Sequence, residues 1–194
     1  RKGEELNEIN LKKFLKENDL ISDIKSELKV LQFSNGFSNL TYSLAIENKE
    51  YVIRKPPKGA VYGHDMNREF KVLKGLNNGF DKAPIAYAYS EDNSIIGTSF
   101  YIMEKVNGKI ITPREFKERS IPNEDYSTIS KTWLKTFVEL HNLDFNKLGL
   151  SELGKPDGYV ERQVRNWGKQ YLKAATDDIK EAELIMNWLN ENQP

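Results

Sequence analysis

Strand patterns and helix patterns do not mix in this chain, and that segregation limits its fold more than any single motif. Strand-like runs stand at 28–33, 40–47, 50–55, 84–90 and 97–105, and one helical run, 65–77, interrupts them after the third. A leading helix is predicted over 6–17, with Leu11, Phe14 and Leu15 at helical spacing and Asn18-Asp19 as its stop. From Pro113 onward every periodic segment is helical: a short one near 113–118, then 124–141, 158–173 and 177–191. A doubly wound parallel sheet needs strands and helices in alternation, so this order predicts an α+β fold instead. Its expected parts are a five-stranded antiparallel lobe over 1–105 and a helical lobe over 106–194.

Punctuation residues refine the outline. Asn48-Lys49 is a short polar turn between two strand patterns, the signature of a hairpin. Pro56-Pro57 and Gly59 end that hairpin and open a loop to Gly63, after which Asp65 is placed to cap the helix. Glu91-Asp92-Asn93-Ser94 is expected as the turn between the fourth and fifth strands. Val164, Trp167 and Tyr171 share a helix face and are expected to pack as core.

Composition removes several chemistries. With no cysteine in 194 residues, thiol catalysis, zinc fingers and iron–sulfur clusters are excluded. The 29 Lys+Arg balance 29 Asp+Glu, so no net charge draws the chain to nucleic acid. No apolar run approaches the ~18 residues of a membrane span. The opening Arg1-Lys2-Gly3-Glu4-Glu5 has no apolar signal-peptide core, and a cytoplasmic location is expected.

Candidate chemistry concentrates in the sheet-bearing part. The loop Ser34-Asn35-Gly36-Phe37-Ser38-Asn39 could lay backbone N–H groups against an anion, or simply turn a hairpin. It is not a GxxxxGK[ST] phosphate loop, which occurs nowhere in the chain. In the strand Tyr51-Val52-Ile53-Arg54, alternation puts Val52 and Arg54 on one face and Tyr51, Ile53 and Lys55 on the other. Glu69 falls inside the apolar arc of its helix, among Met66, Phe70, Val72, Leu73 and Leu76. A charge on a core-facing stripe is costly unless paired, and Arg54 is the natural partner. The residues leave two readings level: a structural ion pair, or one that also orients a phosphate-binding cation. Finally, Phe100 to Gly108 reads as a strand ending in a polar crossing, Met103-Glu104-Lys105-Val106-Asn107-Gly108. Its backbone edge could pair with a planar heterocycle, or be a plain linker. On the later helices, Arg162, Arg165 and Lys169 form a basic face that could meet an anionic substrate or only solvent.

Taken in order, these pieces resemble the small lobe of a protein-kinase-like fold, with Arg54 where that fold usually has lysine. The finer resemblance is to the aminoglycoside phosphotransferase-like family, in the branch also found fused to acyl-CoA dehydrogenases. It rests on Gly36-Phe37-Ser38-Asn39-Leu40-Thr41-Tyr42, Tyr51-Val52-Ile53-Arg54-Lys55-Pro56-Pro57 and Arg68-Glu69-Phe70-Lys71-Val72-Leu73. Leu140-His141-Asn142-Leu143-Asp144-Phe145 and Gly158-Tyr159-Val160-Glu161-Arg162-Gln163-Val164 extend it over nearly the whole chain. Arginine in the third strand is common in that branch; Asn35 stands where a second glycine is usual.

The resemblance implies transfer of the γ-phosphoryl of ATP or GTP to a hydroxyl on a small molecule, with Mg²⁺. It implies that the backbone of Asn35, Gly36, Phe37, Ser38 and Asn39 covers the phosphates and that Arg54, held by Glu69, contacts them. Val52 would touch the adenine face, the hinge Met103-Glu104-Lys105-Val106 would bind the nucleotide, and the Glu104 carbonyl and Val106 N–H would bond the adenine edge. The family's catalytic base and metal ligands lie in a His-Gly-Asp stretch and a later Asp. This sequence has no His-Gly-Asp; Gly63-His64-Asp65 is a different order in a different place, and His141 is read as a packing residue. The missing initiator methionine and the stop at Pro194 are read as signs of a fragment, expected to be inactive alone. The alternative is a catalytically inactive kinase-like module that binds nucleotide or a partner.

Overall fold

The computed structural model describes residues 4–34, 38–59, 64–111, 118 and 122–193. It holds five strands: β1 (Lys29–Gln32), β2 (Leu40–Ile46), β3 (Lys49–Lys55), β4 (Ala86–Ser90) and β5 (Phe100–Glu104). They form one sheet in the order β1-β2-β3-β5-β4, with antiparallel neighbours throughout. Helix α1 (Glu8–Glu17) precedes the sheet, and α2 (Met66–Leu76) lies between β3 and β4. The later helices are α4 (Asn123–His141), α5 (Tyr159–Ala174) and α6 (Lys180–Glu191). The α+β order anticipated from the patterns is thus the order observed. The short helix expected near 113–118 falls almost wholly outside the described residues.

One face of the sheet makes the core. Leu40, Tyr42, Leu44 and Ile46 alternate along β2 and are all buried, as are Tyr51 and Ile53 of β3 and Phe100 and Ile102 of β5. Leu11, Phe14 and Leu15 of α1 cover them, and the Phe14 and Phe100 rings meet edge-on at 5.0 Å. Alternation therefore directs Val52 and Arg54 away from α1, to the face where α2 packs near β4 and β5. Lys55 ends β3 on the core side; burial pushes its ammonium below the ordinary lysine range, with Glu4 opposing.

The β2–β3 hairpin turns on Glu47 and Asn48, both left-handed at φ 51° and 60°, the geometry of a two-residue hairpin whose twist matches the strands. Asparagine tolerates this conformation; glutamate ordinarily does not. Glu47 is held there by its carboxylate, which accepts the Ser22 N–H at 2.7 Å, the Asp23 N–H at 2.6 Å and the Ser26 hydroxyl at 3.0 Å. Those backbone bonds lower its pKa from 4.5 to about 2. A depressed carboxylate contributes stability above its unfolded pKa and loses it as pH falls through the folded value. Wild-type chain should therefore lose unfolding free energy more steeply than Glu47→Gln between about pH 4.5 and 2. Parallel urea titrations of the two proteins across that range would refute the contact's role if their slopes coincide.

Three expectations are corrected. The hairpin turn is Glu47-Asn48, one residue before the expected Asn48-Lys49, because Lys49 already pairs with Ile46 in the ladder. The turn at 91–94 is instead the start of a one-turn helix, α3 (Asn93–Ile96), because Asp92 caps it and Ile96 is buried. Trp167 is 64% exposed and is not core; α5 and α6 form a two-helix pair with one seam, and Val164 and Tyr171 are only half-buried in it.

The chain divides into two compact units, Arg1–Leu150 and Ser151–Pro194. The anticipated boundary at 105/106 runs inside the first. Two contacts bring α4 and its following loop into that unit: Lys82 pairs with Glu139 at 2.8 Å, and Leu150 and Leu148 pack at Gly75 of α2 and at Gly79 just beyond its end. Arg162, expected on a basic face, turns back to the carbonyls of Lys155 and Asp157. None of the described helices is long and apolar enough to cross a membrane.

Candidate functional site

Strand register builds the site. Val52 lies opposite Met103, and Arg54 lies opposite Thr41 on one side and Tyr101 on the other. These side chains share the face turned from α1, where Thr41, Val52, Arg54 and Met103 floor a groove of about 690 Å³. Ser38, Asn39, Val52, Arg54, Met103, Glu104 and Val106, all singled out from sequence, line it. Phe33, Pro84 and Ile110 add apolar surface. Asn35, Gly36 and Phe37 lie outside the described residues.

The groove has a direction. Tyr51 is registered with Glu104 at the strand-to-crossing end, and Arg54 with Thr41 at the loop end. At about 3.3 Å per residue, the two ends stand about 10 Å apart. The crossing end is apolar around Val52 and Met103; the loop end is cationic and hydrogen-bonding. That gradient suits a ligand with a flat apolar part and an anionic tail. At the crossing, Glu104 is used twice by Ile85: its N–H donates to the Ile85 carbonyl at 2.8 Å, and its carboxylate accepts the Ile85 N–H at 3.1 Å. Lys105 pairs with Glu50 at 2.5 Å. These contacts hold the crossing still, while the Val106 N–H finds no acceptor among the described residues.

Behind Arg54 a second depression, about 440 Å³, is lined by Arg54, Glu69, Val72, Leu73 and Tyr101 among others. Asp65 caps α2 by accepting the Arg68 N–H at 2.9 Å, and one turn on, Glu69 faces the sheet. Arg54 Nε stands 3.2 Å from Glu69 Oε2, and both side chains remain about one-third exposed (32% and 33%). Glu69 also accepts the Asn39 amide at 2.8 Å and the Tyr101 hydroxyl at 2.9 Å. Burial pushes the Tyr101 phenol above its ordinary range; Glu69 adds to this and Arg54 opposes it. Tyr101 is therefore a neutral donor at any working pH.

Sequence reasoning missed Tyr101 and the side-chain role of Asn39. Tyr101 had a signal, since it alternates with Met103, but its partner is visible only once β5 is known to lie beside β3. His64 was set aside as a catalytic base, and its contact with Asn39 (2.6 Å) has no sequence signature. His141 approaches the Phe137 carbonyl at 2.7 Å and its ring at 4.0 Å, a local packing role.

Known proteins share this architecture. A crystal structure of a Ralstonia eutropha chain classed with the aminoglycoside phosphotransferases superposes with a TM-score of 0.77 at 28% identity, covering 98% of this chain and 54% of that one. The rat and human proteins called acyl-CoA dehydrogenase family member 11 are each 37% identical over 175 residues, 89% and 88% of this chain. Mouse acyl-CoA dehydrogenase family member 10 is 34% identical over 172 residues. The chain spans only 22% of the length of the first two and 16% of the third. Residues 29–194, which include every strand and every element of the groove, match the phosphotransferase enzyme family, and the chain belongs to that family.

Proposed function

We propose that this chain carries the nucleotide site of an ATP-dependent phosphotransferase whose acceptor is a hydroxyl on a small molecule. The observation that carries the reading is the placement of Val52 and Arg54 on one strand face, with Arg54 beside Glu69 at the cationic end of a mainly apolar groove. In this reading Val52 and Met103, side by side, cover one face of the base, and the Glu104 carbonyl and Val106 N–H meet its edge. Arg54 takes the α- and β-phosphates as a planar, permanently charged donor. The backbone of Ser38 and Asn39 approaches them from the loop.

Bound Mg²⁺ would neutralise charge between the phosphates. Among the described residues no group of three or more His, Asp or Glu could hold a metal ion, and the reading assigns it no ligand here. Since the sequence also has no His-Gly-Asp, residues 1–194 by themselves are assigned binding and not turnover. The second reading is a catalytically inactive binding module. Phosphorylation assays on the full reading frame separate the two.

Titration calorimetry tests the site. ATP should bind the wild-type chain, and Arg54→Ala should weaken it by about tenfold or more, the worth of a hydrogen bond to a charged group, while adenosine is unaffected. Equal ATP affinity in the two proteins would sink the assignment of Arg54. ATP-dependent product formation by residues 1–194 alone would sink the assignment of binding without turnover.

A further inference from the structure

Donor and acceptor accounting around Glu69 reaches past Arg54. The Asn39 amide sits between two groups: Glu69 Oε1 at 2.8 Å and His64 Nδ1 at 2.6 Å. An ionised carboxylate only accepts, so the amide nitrogen must face it. The amide oxygen then faces His64, and Nδ1 must carry a proton to donate to it. The opposite arrangement would set two oxygens against each other. Asn39 is 6% exposed, so water does not readily replace either bond.

Distances rank what holds Glu69. Asn39 and Tyr101 donate at 2.8 and 2.9 Å. Arg54 Nη2 is 3.5 Å away, and its buried Nε, at 3.2 Å, is not aligned for a hydrogen bond. The neutral donors therefore place the carboxylate, and the carboxylate's charge steers a guanidinium that is only loosely gripped. Such a cation keeps its own donors for another anion.

We propose that His64 and Asn39 are positioning residues for the phosphate-binding cation, an inference that rests on the nucleotide reading above. His64 Nδ1–H orients the Asn39 amide, Asn39 fixes Glu69, and Glu69 sets where Arg54 meets the phosphates. The relay also ties the residue before β2 to the residue before the α2 cap, so the phosphate-covering loop and the glutamate helix share one anchor.

The test uses the 194-residue chain, with ATP and adenosine as probes. His64→Leu should weaken ATP about three- to tenfold, as coupled neighbours in one network do, and leave adenosine unchanged. His64→Asn keeps an N–H near the position of Nδ1 and should restore ATP affinity. In an Arg54→Ala background His64→Leu should add nothing. Loss of adenosine and ATP affinity alike, or the same loss without Arg54, shows a merely structural role and overturns the inference. A wild type that binds ATP, with His64→Leu indistinguishable from it, overturns the inference alone; a wild type that binds no ATP overturns the nucleotide reading and the inference with it. One measurement needs no variant: ¹⁵N shifts of the neutral ring should show Nδ1 protonated and Nε2 bare, and the other tautomer overturns the relay.

Discussion

Glu69→Ala is expected to destabilise the chain by about 2–3 kcal/mol, because hydrogen bonds to a charged group are each worth about 1.5–3 kcal/mol and a buried donor left alone adds its own cost. The Asn39 amide at 2.8 Å and the Tyr101 hydroxyl at 2.9 Å lose an acceptor together, and the Arg54 guanidinium loses its charge partner at 3.2 Å. Exposure sets the ceiling. A fully buried ion pair broken on one side costs about 3–5 kcal/mol, whereas an exposed pair is worth about 0–1 kcal/mol. With about one-third of each side chain open to water (32% and 33%), this pair falls between those limits. Tyr101, at 3% exposure, sits nearer the costly end. Glu69→Gln keeps the shape and one acceptor oxygen, so its loss should be smaller, yet it removes the charge that steers Arg54. Both variants should bind ATP more weakly than wild type, by the nucleotide reading. Urea unfolding measures the first effect and calorimetry the second. A change of under about 0.5 kcal/mol in Glu69→Ala, the ordinary surface range, would show the network carries little.

Gly75→Val should cost a similar amount, about 2–3 kcal/mol, through overpacking. Local rules alone point elsewhere for this position. Glycine inside a helix is about 0.8–1 kcal/mol worse than alanine, so any replacement with a side chain would tend to firm up α2. Tertiary contacts reverse the sign. A Cβ built at Gly75 would stand 2.4 Å from Leu150 Cδ2, 2.8 Å from its Cγ and 2.9 Å from the Leu148 carbonyl oxygen. The leucine tip can rotate away, but the carbonyl is backbone and moves only with its loop. Gly75→Ala meets the same carbonyl, so its helix gain is offset and it should also come out less stable than wild type. Thermal unfolding of the two variants decides this: an alanine variant more stable than wild type would mean the 148–150 loop yields without cost. Because that loop follows α4, the substitution should also loosen α4 from the sheet-bearing unit, seen as faster amide exchange across Asn142–Leu150.

Much of the fold was legible because its signals are local. Alternation in β2 and β3, the hairpin between them (its turn one residue earlier than read), the capping Asp65 and the helical spacing of Leu11, Phe14 and Leu15 are each set by residues within a few positions of one another. The α3 turn was missed for the opposite reason. Asp92 can start a turn or cap a helix with the same oxygen, and the burial of Ile96 decides between them. Trp167 was misread because an apolar helix face predicts that something covers it, not that the seam with α6 is wide enough to do so.

The candidate site divides along the same line. Sequence periodicity by itself determined that Val52 and Arg54 share a face and that Glu69 lies on the inner arc of its helix, since both follow from the pitch of one element. Segregated strand and helix patterns likewise determined the α+β class. Only the tertiary structure decided that β5 lies beside β3 and sets Tyr101 opposite Arg54, that Asn39 bridges to His64, and that Gly75 must stay bare. Each of these joins residues that are distant in the chain, and the physical reason is common to all three. Which side chains meet across strands and loops depends on register and packing of whole elements, and no local propensity encodes that.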